Sequence, residues 1–165
     1  FSLNLSKEQR VAIADSTGCD TAFMLEGGCG KIINRSTVVD KFTMQERDAV
    51  IAVKGFSNTA NVFKIYDGLP KTLQEFDNRA VIQALKNGES VTGIAVNDLT
   101  IASNTLNPNV FRAIDILGEG ASMSGSGSSV FCFGAPNNSV EKLKSEGFDV
   151  YTCKIGNFET TVIKE

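Results

Sequence analysis

Two stretches of this 165-residue chain hold residue types that could do chemistry. The first is Ser122-Met123-Ser124-Gly125-Ser126-Gly127-Ser128-Ser129, running into the apolar Val130-Phe131-Cys132-Phe133. Glycine lacks a Cβ, so such a loop turns sharply and lets a ligand or another backbone come close. Successive backbone N–H groups, helped by serine hydroxyls, form a concavity suited to anions, phosphate above all. The same residues also make an ordinary tight turn. The second stretch is Ser16-Thr17-Gly18-Cys19-Asp20-Thr21, a polar turn whose one carboxylate precedes Ala22-Phe23-Met24-Leu25. An aspartate there is a cap, a turn former, or a base at an element's end.

The chain contains no histidine, which excludes Ser-His and Cys-His nucleophile schemes within it. A general base must then be a carboxylate, lysine, tyrosine or cysteine. Four cysteines, Cys19, Cys29, Cys132 and Cys153, lie far apart without C-x-x-C spacing. A zinc site would need all four thiolates, so no metal site is expected and reduced thiols are. Gly27-Gly28-Cys29-Gly30-Lys31 has the look of a phosphate loop but fails the Walker pattern. Leu25 stands where the first glycine belongs, and Ile32 where Ser or Thr would hold magnesium. It reads instead as a hairpin turn into Lys31-Ile32-Ile33.

Positioning these residues requires a core, and the composition supplies one: 42% of residues are hydrophobic and 21% charged. A net charge of -3 and a pI near 5.1 argue against nucleic acid as a partner. No apolar run approaches a membrane span and no segment resembles a signal peptide, so a cytoplasmic protein is expected. The start at Phe1 suggests a fragment or a processed product.

Ser6 and Gln9 form a capping-box pattern for a helix from Lys7 to about Ala14. Asp48–Val53 reads as a buried strand. Ser57-Asn58-Thr59 caps a helix over Ala60–Tyr66 that ends at Asp67-Gly68. Thr72 and Glu75 form a second capping box, followed by Leu73, Phe76, Ala80, Val81, Ala84 and Leu85 on one face. Asn97-Asp98-Leu99 opens another helix, with Asn97 and Asp98 read as a cap that braces the neighbouring loop. Asn107-Pro108 starts the next, with Val110, Phe111, Ile114 and Leu117 expected on its buried side. After the glycine-serine loop and its strand, Asn138–Glu141 opens a helix carrying Val140 and Leu143 and closed by Gly147. Strands near Phe148–Lys154 and Phe158–Ile163 finish the chain. From about Asp48 the order is strand, helices, strand, helix, strand, strand. That order predicts an α+β sandwich with helices on one face of an antiparallel sheet.

Gly18–Phe23, Ser57–Phe63, Asn97-Asp98-Leu99 and Met123–Phe131 together resemble, in that order, motifs of the 4-diphosphocytidyl-2-C-methyl-D-erythritol kinases. These belong to the superfamily of galactokinase, homoserine kinase, mevalonate kinase and phosphomevalonate kinase. The resemblance spans nearly the whole chain but only the later part of such an enzyme. It implies that Asp20 takes the proton of the substrate hydroxyl. Phe63 is implied to stack on the substrate's cytosine, with Thr59 on the same substrate-facing turn. Gly125, Ser126 and Gly127 match the superfamily's third motif, at the active site between its two lobes. The implied fold is a ferredoxin-like plait from residue 46 to 165, with residues 1–45 a remnant of the N-terminal kinase domain. The implied donor is ATP with Mg²⁺, and the implied partners are a cytidine-diphosphate-linked polyol and the missing N-terminal half.

The chain departs from that pattern at defined places. Gly18-Cys19-Asp20-Thr21-Ala22 lacks the family's proline, and the arginine often found at Ser122 is absent. The family's Gly-x-Gly-Glu is not recognisable around Ile33–Ser36, and its ATP loop and active-site lysine have no counterpart. This chain alone is therefore expected to be inactive. Two alternatives stand beside a kinase fragment: a non-catalytic binding domain that kept the fold, and a superfamily kinase acting on homoserine or a mevalonate phosphate.

Overall fold

The computed structural model describes residues 4–18, 20–33, 37–70, 78–92, 94 and 96–157. They fall into two compact units, one made of residues up to Glu46 with Gly156 and Asn157, the other of Arg47–Ile155.

In the first unit, α1 (Lys7–Thr17) starts at the Ser6–Gln9 capping box. Ser6 Oγ accepts from Gln9 N at 3.3 Å, and Ser6 N donates to Gln9 Oε1 at 2.9 Å. A short helix, α2 (Thr21–Glu26), follows Asp20 and ends at Gly27. Next come β1 (Cys29–Ile33) and β2 (Thr37–Phe42), an antiparallel pair with an irregularity between Lys31 and Ile32. The glycine-rich segment is therefore not the hairpin's turn. Gly27 and Gly28, at positive φ, break the helix, while Cys29 and Gly30 already lie in β1. Asn157 Nδ2 donates to Met44 O at 2.7 Å, and Asn157 Oδ1 accepts from Met44 N at 2.9 Å.

The second unit holds the main sheet, with strands β3 (Arg47–Val53), β4 (Ala121–Met123), β5 (Val130–Phe133) and β6 (Asp149–Ile155). Their spatial order is β4-β5-β3-β6, antiparallel throughout. The helices are α3 (Thr59–Gly68), α4 (Asn78–Asn87), α5 (Thr100–Leu106), α6 (Asn109–Leu117) and α7 (Ser139–Ser145). Strand, helices, strand, strand, helix, strand, with the first and last strands adjacent, is the ferredoxin-like plait of an α+β fold.

Strand register decides which residues form the core. Val50 and Ala52 of β3 pair with Cys132 and Val130 of β5, and on the other side with Thr152 and Val150 of β6. Directly opposed residues share a face, so this face meets Val110, Ala113, Ile116 and Leu117 of α6, with Leu143 and Phe148. The alternate face carries Ile51, Phe131 and Tyr151, and the Phe131 and Phe133 rings lie 5.4 Å apart.

Several expectations are corrected. Phe111 is 47% exposed, because the buried stripe of α6 runs through Ala113 and Ile116. Ala121-Ser122-Met123, read within or beside the loop, is a strand that pairs with β5. The Thr72–Glu75 capping box, Leu73, Phe76, Cys19 and the strand at 158–163 lie outside the described residues.

Candidate active site

The glycine-serine loop joins β4 to β5 and is tied down along its length. Ser124 N donates to Ser129 O at 2.9 Å, and Gly127 N donates to Ser124 O at 3.0 Å, so the loop closes on itself. Ser128 Oγ donates to Gly55 O at 2.9 Å, just beyond the end of β3. Gly125 and Gly127 take φ of +55° and +86°, values that side chains disfavour. At Gly127 the space matters as well. A Cβ there would stand 2.8 Å from Met123 Sδ and collide with Ser103 Oγ. The N–H groups of Gly125 and Ser126 have no acceptor among the described residues. Two such donors in a turn are what an anion site requires.

One hydrogen bond brings two of the sequence motifs together. Thr59 Oγ1 lies 2.9 Å from Ser126 Oγ, so the first residue of α3 touches the tip of the loop. Asn58 caps α3 by accepting from Asn61 N at 3.1 Å. Phe63 sits one turn further along α3 and is 49% exposed. Beneath them Ser103 Oγ donates to Ser57 Oγ at 2.9 Å, both residues being buried. Thr59, Ser126 and the loop glycines thus form one surface on the second unit, and Phe63 adjoins it along the helix.

Asp20 belongs to the first unit and is described by itself. It stands at the N-terminal boundary of α2, is exposed, and makes no capping hydrogen bond with its side chain. Its backbone carbonyl accepts from Met24 N at 3.1 Å. The carboxylate is therefore not consumed by the capping role that its place suggests. Among the described residues no group of three His, Cys, Asp or Glu side chains could hold a metal ion. Burial pushes the Cys29 and Cys132 thiols up, so neither is a ready thiolate nucleophile.

Asn97, which the sequence reads as part of a helix cap that braces the neighbouring loop, is not among the site residues expected from sequence, yet it holds the glycine-serine loop. Its Nδ2 donates to Met123 O at 2.8 Å and to Gly125 O at 2.9 Å, on opposite sides of the loop's first turn. The bracing role was legible in the Asn97-Asp98-Leu99 motif, but the carbonyls it holds were not, because they lie 26 and 28 residues away.

Residues 71–151 match the family described as GHMP kinases C terminal. The chain resembles the C-terminal part of a GHMP kinase. A 4-diphosphocytidyl-2-C-methyl-D-erythritol kinase of Hydrogenobaculum sp. (strain Y04AAS1) is 27% identical over 156 residues, covering 92% of this chain and 54% of its own length. A protein of the same description from Prochlorococcus marinus subsp. pastoris is 23% identical, covering 99% of this chain and 61% of its own length. A crystal structure of 4-(cytidine 5'-diphospho)-2C-methyl-D-erythritol kinase superposes with a TM-score of 0.68 at 22% identity. That superposition covers 90% of this chain and 57% of the other, and it shows a likeness of fold. The chain thus spans little more than half the length of the curated relatives it matches.

Proposed function

We propose that this chain is part of an ATP-dependent kinase that phosphorylates 4-diphosphocytidyl-2-C-methyl-D-erythritol in the non-mevalonate route to isoprenoid precursors. The observation that carries this reading is that two relatives of that description align with 92% and 99% of the chain. The local geometry supports it. The Thr59–Ser126 hydrogen bond unites the helix that carries Phe63 with the glycine-serine loop. In this reading Phe63 offers an exposed ring to the cytosine, and Thr59 sits at the same end of α3. Gly125 and Ser126 present backbone N–H donors to a phosphate, and Gly127 closes the turn that aims them.

Asp20 is assigned the substrate's hydroxyl proton, a role compatible with its exposed and uncommitted carboxylate. Residues 1–45 are assigned to the N-terminal kinase domain and residues 46–165 to the C-terminal one, although Glu46, Gly156 and Asn157 group with the first compact unit. Phosphoryl transfer depends mostly on positioning and on neutralising charge in the transferring group. ATP with Mg²⁺ supplies that group when bound. The described residues offer no cluster of three His, Cys, Asp or Glu side chains to hold the ion.

The test is transfer of labelled γ-phosphate from ATP by the complete reading frame, with the cytidine-linked polyol, homoserine and mevalonate phosphate offered separately. Transfer to the cytidine-linked polyol alone is expected. Transfer to another acceptor instead would move the protein within the superfamily, and transfer to none would favour a binding domain. The present 165-residue chain is expected to show no turnover.

A further inference from the structure

The loop's shape is imposed from outside the loop. Asn97 spends every polar atom of its side chain on this arrangement. Its amide nitrogen reaches two loop carbonyls, and its Oδ1 accepts from Leu99 N at 3.0 Å at the approach to α5. The Asn97 carbonyl also accepts from Thr100 N at 3.1 Å and from Thr100 Oγ1 at 2.6 Å. The residue is therefore fastened to α5 by one set of bonds and to the loop by another. Helix α5 is itself immobilised, since Ala102 and Ser103 are wholly buried. Ser103 occupies the space under Gly127 where a Cβ would go. The loop is held at its first turn by Asn97 and underneath by Ser103, six residues on along the chain.

We infer that Asn97 is a positioning residue that fixes the glycine-serine loop in its anion-receiving shape before any ligand arrives. Its two bonds fix Met123 O and Gly125 O on a single nitrogen, while the N–H groups of Gly125 and Ser126 are left for a ligand. A loop ordered in advance does not spend binding energy on ordering itself. The inference rests on reading the loop as a phosphate cradle, and it concerns a residue that this reading does not otherwise use.

The test compares wild type with Asn97→Asp, which keeps the size, removes both N–H donors and sets a carboxylate oxygen against two carbonyls. Amide hydrogen exchange and pyrophosphate titration are measured on the 165-residue chain. Protection at Ser124 and Gly127 is expected to fall on the order of tenfold or more, while β3 and β5 amides stay within about twofold. Pyrophosphate affinity is expected to fall about tenfold.

Unchanged protection at Ser124 and Gly127 overturns the inference, whatever the anion does. Equal loss in loop and sheet overturns it too, because Asn97 would then serve only global stability. A wild type that ignores pyrophosphate, in company with loop protection that still falls in the variant, removes the phosphate reading and leaves Asn97's control of loop shape standing.

Discussion

The two units differ in how much they bury. Arg47–Ile155 closes on Leu117, Leu143, Val62 and Val110, all without solvent exposure. In the unit that holds Asp20, the buried apolar residues among those described are Ala14, Ala22 and Met44, while Ile13, Met24 and Leu25 are 53%, 62% and 44% exposed. Short helices and a two-stranded hairpin do not close a core by themselves. The residues assigned to ligand recognition stand on the well-packed unit, and the assigned base stands on the thin one. Chemistry and stability are therefore separable here, and substitutions can be chosen to move one without the other.

The largest expected effect tests the chemical side of that contrast. If the proposed function holds, Asp20→Asn in the full-length protein should lower turnover on the order of 10²–10⁴-fold with substrate affinity largely kept. Steady-state kinetics with both substrates varied would measure it, and a near-normal rate would take Asp20 out of the reaction.

The packing side of the contrast comes next. Leu143→Ala deletes a fully buried side chain from the plait core and should cost about 2–5 kcal/mol of stability in urea unfolding. Ile13→Ala, on the exposed side of α1, should change stability by no more than about 0.5 kcal/mol. Comparable losses at the two positions would erase the difference between the units.

A smaller effect falls on recognition. Phe63→Ala should weaken cytidine-substrate binding by about 1–3 kcal/mol and leave ATP affinity nearly unchanged. Separate titrations by calorimetry distinguish the outcomes. If both ligands weaken together, or the chain loses its melting transition, Phe63 is a packing residue.

The smallest effect is electrostatic. Arg112 Nε donates to Glu146 Oε2 at 2.7 Å, and this hydrogen bonding holds the Glu146 carboxyl below its ordinary 4.5. The lowered value means that the pair supports the fold above about pH 4.5, and that this support is lost as pH falls through the lowered value. Both groups are exposed to solvent screening, so the effect is slight. Acid unfolding profiles of wild type and Arg112→Ala should converge below that range and separate above it. Profiles that stay parallel would show that the pair contributes nothing.

Much of this was legible in the sequence because local chemistry and tertiary packing agree there. The Ser6–Gln9 box, the Asn58 cap and the apolar run of β3 each carry their own cause within a few residues. Phe111 did not follow its pattern, since the small Ala113 lets α6 approach the sheet along a neighbouring stripe. β4 is three residues long and borders a glycine-serine loop, so only its pairing with β5 identifies it as a strand. Asn97 shows the general limit. The sequence reads Asn97 as part of a cap that braces a neighbouring loop, and only the long-range partners identify which carbonyls it holds.

The pairing of β3 with β6 has a topological consequence. Its register sets Arg47 opposite Ile155, the first and last residues of the plait unit. The unit therefore begins and ends at one rung of the β3–β6 pairing, and a chain entering there leaves from the same place. Such a cassette can be seated in a host polypeptide without stretching the host across it. For the same reason its own ends could be joined by a short linker and new ones opened at an exposed turn, with the sheet order kept.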